Sequence, residues 1–97
     1  MMKLTLSPLA EKDIEAIGDY IALDNPARAV TFMAALYQQC CSISAAPQAW
    51  RLRPELGKGI RCCVYQRYLI CYSAINDEVR IERVLHGARN VAAFFSS

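Results

Sequence analysis

Cleaving RNA through its own 2′-hydroxyl takes three kinds of group: a base for the hydroxyl proton, cations around the crowded phosphate, and an acid for the departing oxygen. The second half of this 97-residue chain holds all three. Glu55 or His86 offers a base or an acid, Arg61, Arg83 and Arg89 offer positive charge, and Tyr65, Tyr68 or Tyr72 offers a ring to stack on a base. Each also has a plain structural use. Glu55 stands two residues from Arg53, which suits a surface ion pair. His86 precedes Gly87, where a strand-ending hydrogen bond is its ordinary role. Arg61 and Arg67 suit solvated strand positions. Tyr68 and Tyr72 share a parity with Ile70 and read as core-facing, and Trp50 reads as filler of a helix–sheet seam.

Charge narrows the choice. Eleven basic residues oppose nine acidic ones, for a net +2. Residues 1–50 hold three basic and five acidic side chains. Residues 51–97 hold eight and four, and seven of those eight are Arg, the side chain suited to bidentate contact with carboxylate or phosphate. The C-terminal half therefore reads as the working half, with an anionic or acidic partner. So modest an excess, with no RNA-binding motif, argues against direct sequence-specific nucleic-acid binding. Hydrophobic residues at 55% exclude a disordered tail. The length suits one domain over residues 1–97, with no cofactor expected.

Five cysteines, Cys40, Cys41, Cys62, Cys63 and Cys71, lack any C-x-x-C spacing, and a single His does not complete a usual zinc set. No metal site is expected, and the thiols read as small buried hydrophobes in a reducing cytoplasm. The opening apolar run is too short for a signal peptide, and no stretch approaches the roughly 18 apolar residues of a membrane span. The reading is cytoplasmic.

The elements that must position these residues follow from local signals. Lys3 to Leu6 reads as a strand. Ser7-Pro8 opens a helix with Ala10, Ile14, Ile17 and Ile21 on one face, and Glu11, Asp13, Glu15 and Asp19 away from it. Asp24-Asn25-Pro26 ends that helix and starts a second, striped by Ala29, Phe32, Met33, Leu36, Cys40 and Ile43, until Pro47. So short a connection makes the helices antiparallel neighbours. Ile60–Tyr65, Tyr68–Ala74 and Glu78–Leu85 form an antiparallel meander turned at Gln66-Arg67 and Asn76-Asp77. Arg83 shares a parity with Val79, Ile81 and Leu85. It therefore calls for a bulge, for two partly wet faces, or for a carboxylate such as Glu55. Asn90 to Phe95 suits a short terminal helix carrying Phe94 and Phe95. The order is β-α-α-β-β-β, an α+β fold whose helical hairpin packs on one face of a small antiparallel sheet and leaves the other face open with its arginines.

The order and wording of these pieces resemble the ParE toxins of the RelE/ParE superfamily, over nearly the whole chain. The resemblance lies in Leu6-Ser7-Pro8 with Ala10 and Asp13-Ile14, in Tyr20-Ile21 before Asp24-Asn25-Pro26, and in Arg53-Pro54-Glu55-Leu56-Gly57 with Gly59-Ile60-Arg61. It continues in Arg67-Tyr68-Leu69-Ile70 with Tyr72, and most distinctively in Arg83-Val84-Leu85-His86-Gly87-Ala88-Arg89. Two residues depart from the family pattern: Gln66 stands where Gly is usual, and Asn90 where Asp is usual.

The resemblance implies the toxin of a type II toxin–antitoxin module, not an enzyme, that traps DNA gyrase by protein binding. It also implies a ParD-like antitoxin that joins it in a hetero-oligomer. In that reading Arg61, Arg83, His86 and Arg89 form or support the target-binding surface, and Phe94 and Phe95 insert into a partner groove or cover the sheet edge. The superfamily's other chemistry, ribosome-dependent cleavage of messenger RNA, would use Glu55, Arg61, Arg83 and His86. A degenerate toxin that only binds its antitoxin is the third reading.

Overall fold

Local capping fixes the first half of the chain. A computed structural model describes residues 2–87 and residue 91. Ser7 Oγ accepts from the Ala10 amide at 2.9 Å, and Pro8 fills the first helical position, so strand β1 (Lys3–Leu6) passes directly into helix α1 (Pro8–Asp24). Asn25 then does two jobs. Its amide donates to the Ile21 carbonyl and closes α1, while its side chain accepts from the Arg28 amide at 3.0 Å and opens α2 (Pro26–Ala45). A single non-helical residue between the helices forces an antiparallel hairpin. Ala10, Phe32, Leu36, Cys40 and Ile43 form its buried stripe, with Ile14, Ile17, Ile21 and Met33 packed round them.

A 3₁₀ turn (Pro47–Ala49) leads to three further strands: β2 (Arg61–Tyr65), β3 (Tyr68–Ile75) and β4 (Glu78–His86). Their turns carry positive φ at Gln66 (54°), Asn76 (54°) and Asp77 (61°). The sheet order is β1-β4-β3-β2, antiparallel through the meander and parallel where β1 joins β4, so the sheet is four-stranded and mixed. The hairpin covers the face that carries Cys63, Ile70, Tyr72, Val79, Ile81 and Val84. Trp50 packs in the helix–sheet seam, and Tyr68 and Tyr72 turn toward the helices, as their spacing predicts. Burial holds the Tyr72 phenol up at about 12, so it stays a donor, and it donates to the Pro47 carbonyl.

The parallel β1–β4 pair makes the expected antiparallel sheet a mixed one, and three further expectations change. First, the face away from the helices is not open: Leu56, Ile60, Cys62, Cys71, Leu85 and Val91 are buried there, with Leu69 against them. The segment before β2 folds back over that face through Gly57 and Gly59, both at positive φ. Second, Arg61 has the parity of Cys63 and stands on the helix side. Third, Asp13 points into the structure rather than away from it. The terminal helix expected from Asn90, with Arg89, Phe94 and Phe95, lies outside the described residues.

Candidate functional site

The β3–β4 register explains the parity problem of Arg83. Cys71 pairs with Arg83 but Tyr72 with Ile81, so Glu82 is an extra residue, a β-bulge. Past it, Val84 takes the helix-facing side and Leu85 turns to the other. The bulge falls where β1 stops, because β1 pairs only with Glu78 to Ile81. From there α1 completes the edge of β4. The Ser7 amide donates to the Ile81 carbonyl at 2.9 Å, the Ser7 hydroxyl donates to the Glu82 carbonyl at 2.7 Å, and Asp13 accepts from the Val84 amide at 3.0 Å. Both carboxylate oxygens of Asp13 also receive the Arg83 guanidinium, each at 2.8 Å. The partner of Arg83 is thus Asp13, not Glu55, and that fork raises the Arg83 pKa further.

The other candidates lie apart. Glu55 is exposed and bonded to Arg53, whose guanidinium holds the carboxyl below the usual carboxylate range. That is the wrong direction for proton transfer near neutrality, which favours a carboxyl raised toward the working pH. Arg61 donates to the Trp50 carbonyl at 2.6 Å, beside Tyr72. His86 occupies the rank of Tyr65 and Tyr68, four ranks along β3 from the rank of Arg61 and Tyr72, or roughly 13 Å at strand rise. Of the four, only Arg83 and His86 line one groove, of about 170 Å³, together with Asp13, Ile17 and Tyr68.

A larger opening lies round the corner of Tyr68. Its ring meets Phe32 edge-on at 5.6 Å on one side and His86 at 5.6 Å on the other. Beyond it a cleft of about 930 Å³ runs between the tip of the helical hairpin and the β2–β3 turn, lined by Tyr20, Leu23, Arg28, Phe32, Arg67 and Tyr68. Tyr20 and Leu23 are among the most exposed apolar side chains, at 74% and 87%. Arg28 and Arg67 bring two guanidinium groups to the same opening. Tyr20, Leu23 and Arg28 are not among the candidate site residues of the sequence. Their signal was topological: the Asp24–Pro26 connection and the Gln66-Arg67 turn fall at the same end of the molecule.

A third feature flanks β1. A groove of about 470 Å³ lies between that edge strand and the hairpin, lined by Leu4, Leu6, Ile14, Met33, Leu36 and Tyr37. Among the described residues no group of three or more His, Cys, Asp or Glu side chains is placed to hold a metal ion, and no helix is long and apolar enough to cross a membrane.

The family model described as ParE toxin of type II toxin-antitoxin system, parDE, matches residues 4–91. This chain belongs to the ParE toxin family. Its fold is similar to that of a chain from the chromosomal ParDE TA system of P. aeruginosa, with 22% identity over 89% of this chain and 96% of that one, and a TM-score of 0.75. A conserved hypothetical protein from Helicobacter pylori matches at 20% identity over 92% of this chain and 98% of the other, with a TM-score of 0.49. No curated protein matches. The ParE match spans the Asp13–Arg83 seam, the Tyr68 corner and the groove beside β1 alike. Gln66, within the matched range, sits at φ 54°, where a side chain costs about 1 kcal/mol or more.

Proposed function

We propose that this ParE toxin works by gripping a protein target, DNA gyrase, and not by breaking bonds itself. The observation that carries this reading is the fork between Asp13 and Arg83. A guanidinium with a carboxylate on both of its forked N–H groups is committed to the fold and ill placed to meet a phosphorane. Arg61 and Glu55 are engaged elsewhere. In this reading Arg83 and Arg61 support the target-binding surface, and His86, Tyr68, Arg28 and Arg67 present it, with Arg89 as a further contact. The cytoplasm, where gyrase works, is its place of action.

A ParD-like antitoxin is the second partner, and the likeness to a ParDE system chain supports it. The groove beside β1 suits an amphipathic segment of that antitoxin: it offers apolar side chains next to a strand that is an edge of the sheet among the described residues. The two chains would form a hetero-oligomer, with Phe94 and Phe95 as partner contacts.

Purified toxin should inhibit supercoiling by gyrase, and its antitoxin should reverse the inhibition. Induction of the toxin alone should give filamentous cells with DNA-damage signalling. Untouched supercoiling with messenger RNA cut on translating ribosomes would establish the nuclease chemistry instead. Tight antitoxin binding with neither activity would mark a degenerate toxin.

A further inference from the structure

Cys62 and Cys71 face each other across the β2–β3 pair with their Sγ atoms 3.3 Å apart. Ranks alternate outward from the two-residue turn at Gln66-Arg67. The Tyr65–Tyr68 rank exchanges hydrogen bonds, so Cys62–Cys71 is a non-hydrogen-bonded rank. In such a rank the Cα atoms approach to about 4.5 Å, at the near end of the roughly 4.4–6.8 Å that a disulfide spans. We propose that Cys62 and Cys71 are an oxidant-reactive dithiol, a modification site that a hydroperoxide converts into an intrachain disulfide joining β2 to β3.

The surroundings favour this pair over the other three thiols. Cys62 lies on the edge strand, where among the described residues a short ladder continues the pairing outward: the Leu52–Arg61 bridge, with the Cys62 amide on the Arg51 carbonyl and the Arg53 amide on the Ile60 carbonyl. The contact with Cys71 holds the Cys62 thiol below the usual cysteine value, and the Arg53 charge adds to it. The same contact, with burial, pushes Cys71 up. Cys62 stands on the edge strand and keeps a little exposure, while Cys71 on the inner strand has none, so Cys62 is the thiol an oxidant reaches first. Burial pushes Cys40 up to about 11 and raises Cys63 as well, which leaves both protonated and slow. Cys41 is half-buried, more accessible than the rest, and is the natural competitor.

The step is a two-electron oxidation. The Cys62 thiolate attacks one oxygen of hydrogen peroxide, the O–O bond breaks, and hydroxide leaves, giving a sulfenic acid at Cys62. The Cys71 sulfur then attacks that sulfenic sulfur. The S–S bond forms, the S–O bond breaks, and water departs with the Cys71 proton. In sum, two thiols and one peroxide give one disulfide and two waters. A thiol reductant reverses the product by exchange.

The test treats the reduced full-length protein with stoichiometric hydrogen peroxide, quenches with an alkylating agent, and maps the thiols by mass spectrometry. The expected product has lost two hydrogen atoms, stays monomeric, and carries alkyl groups on Cys40, Cys41 and Cys63. Cys62 and Cys63 share one tryptic peptide, so fragmentation must place the bond from Cys71 on Cys62. The variant Cys71→Ala should stop at a sulfenic acid on Cys62 that dimedone traps. Oxidation of Cys41 while Cys62 and Cys71 remain alkylatable would overturn the proposal. So would a Cys62–Cys63 bond, or an intermolecular dimer formed at the same rate.

Discussion

The arginines of this toxin live in two settings, and the contrast separates scaffold from surface. Along the seam between α1 and β4, Arg83 is forked onto Asp13, and Asp13 with Ser7 completes a strand edge that β1 leaves unpaired. At the tip of the molecule, Arg28 and Arg67 border a broad cleft beside exposed Tyr20 and Leu23. In the first setting the charge is satisfied within the fold. In the second it is offered outward next to apolar surface, the combination that protein interfaces favour. A basic sequence half therefore does not mark a uniform basic face.

Substitutions test this contrast. The largest effect is expected for Asp13→Ala, which removes the carboxylate fork from a half-buried guanidinium and the acceptor of the Val84 amide. It should lower unfolding stability by about 3 kcal/mol in denaturant titrations. Arg83→Ala should cost a similar amount, and a double-mutant cycle with Asp13→Ala should show strong coupling. Ser7→Ala loses both a helix cap and the bond to the Glu82 carbonyl, and should cost about 1–2 kcal/mol in the same titrations. Gln66→Gly runs the other way. Relief of the positive φ should raise stability by about 1 kcal/mol, seen as a Tm rise of several degrees. The smallest change in stability belongs to Arg28→Ala and Arg67→Ala, within about 0.5 kcal/mol of the parent, yet both should weaken gyrase inhibition several-fold.

What was legible in the sequence divides along the same line. The hairpin was readable because Ser7-Pro8 and Asn25-Pro26 carry their caps within three residues, and the apolar stripes of both helices repeat locally. The meander was readable because Gln66-Arg67 and Asn76-Asp77 mark its turns. The bulge was one of the options that Arg83 demanded. Its partner is remote in sequence: Asp13 lies 70 residues away, on the flank of the apolar stripe of α1, roughly 40° from Ile17 on a helical wheel. Helical spacing already sets it roughly 160° from Glu11 and Glu15, and the docking of α1 onto the edge of β4 supplies its partner. The parallel pairing of β1 with β4 is long-range in the same way. The covered far face was missed because Leu56 and Ile60 sit in a segment with no periodicity, among Pro54, Gly57 and Gly59. The site was least legible of all, since its cleft joins two turns remote in sequence.

The central claim is that this toxin poisons by contact through the tip of the molecule. The most direct measurement is gyrase supercoiling with the parent toxin and the Arg28→Ala, Arg67→Ala double variant at matched stability. The parent should inhibit, and the double variant should not. Supercoiling that proceeds unhindered beside the parent toxin, while ribosome-bound messenger RNA is cut, would contradict it.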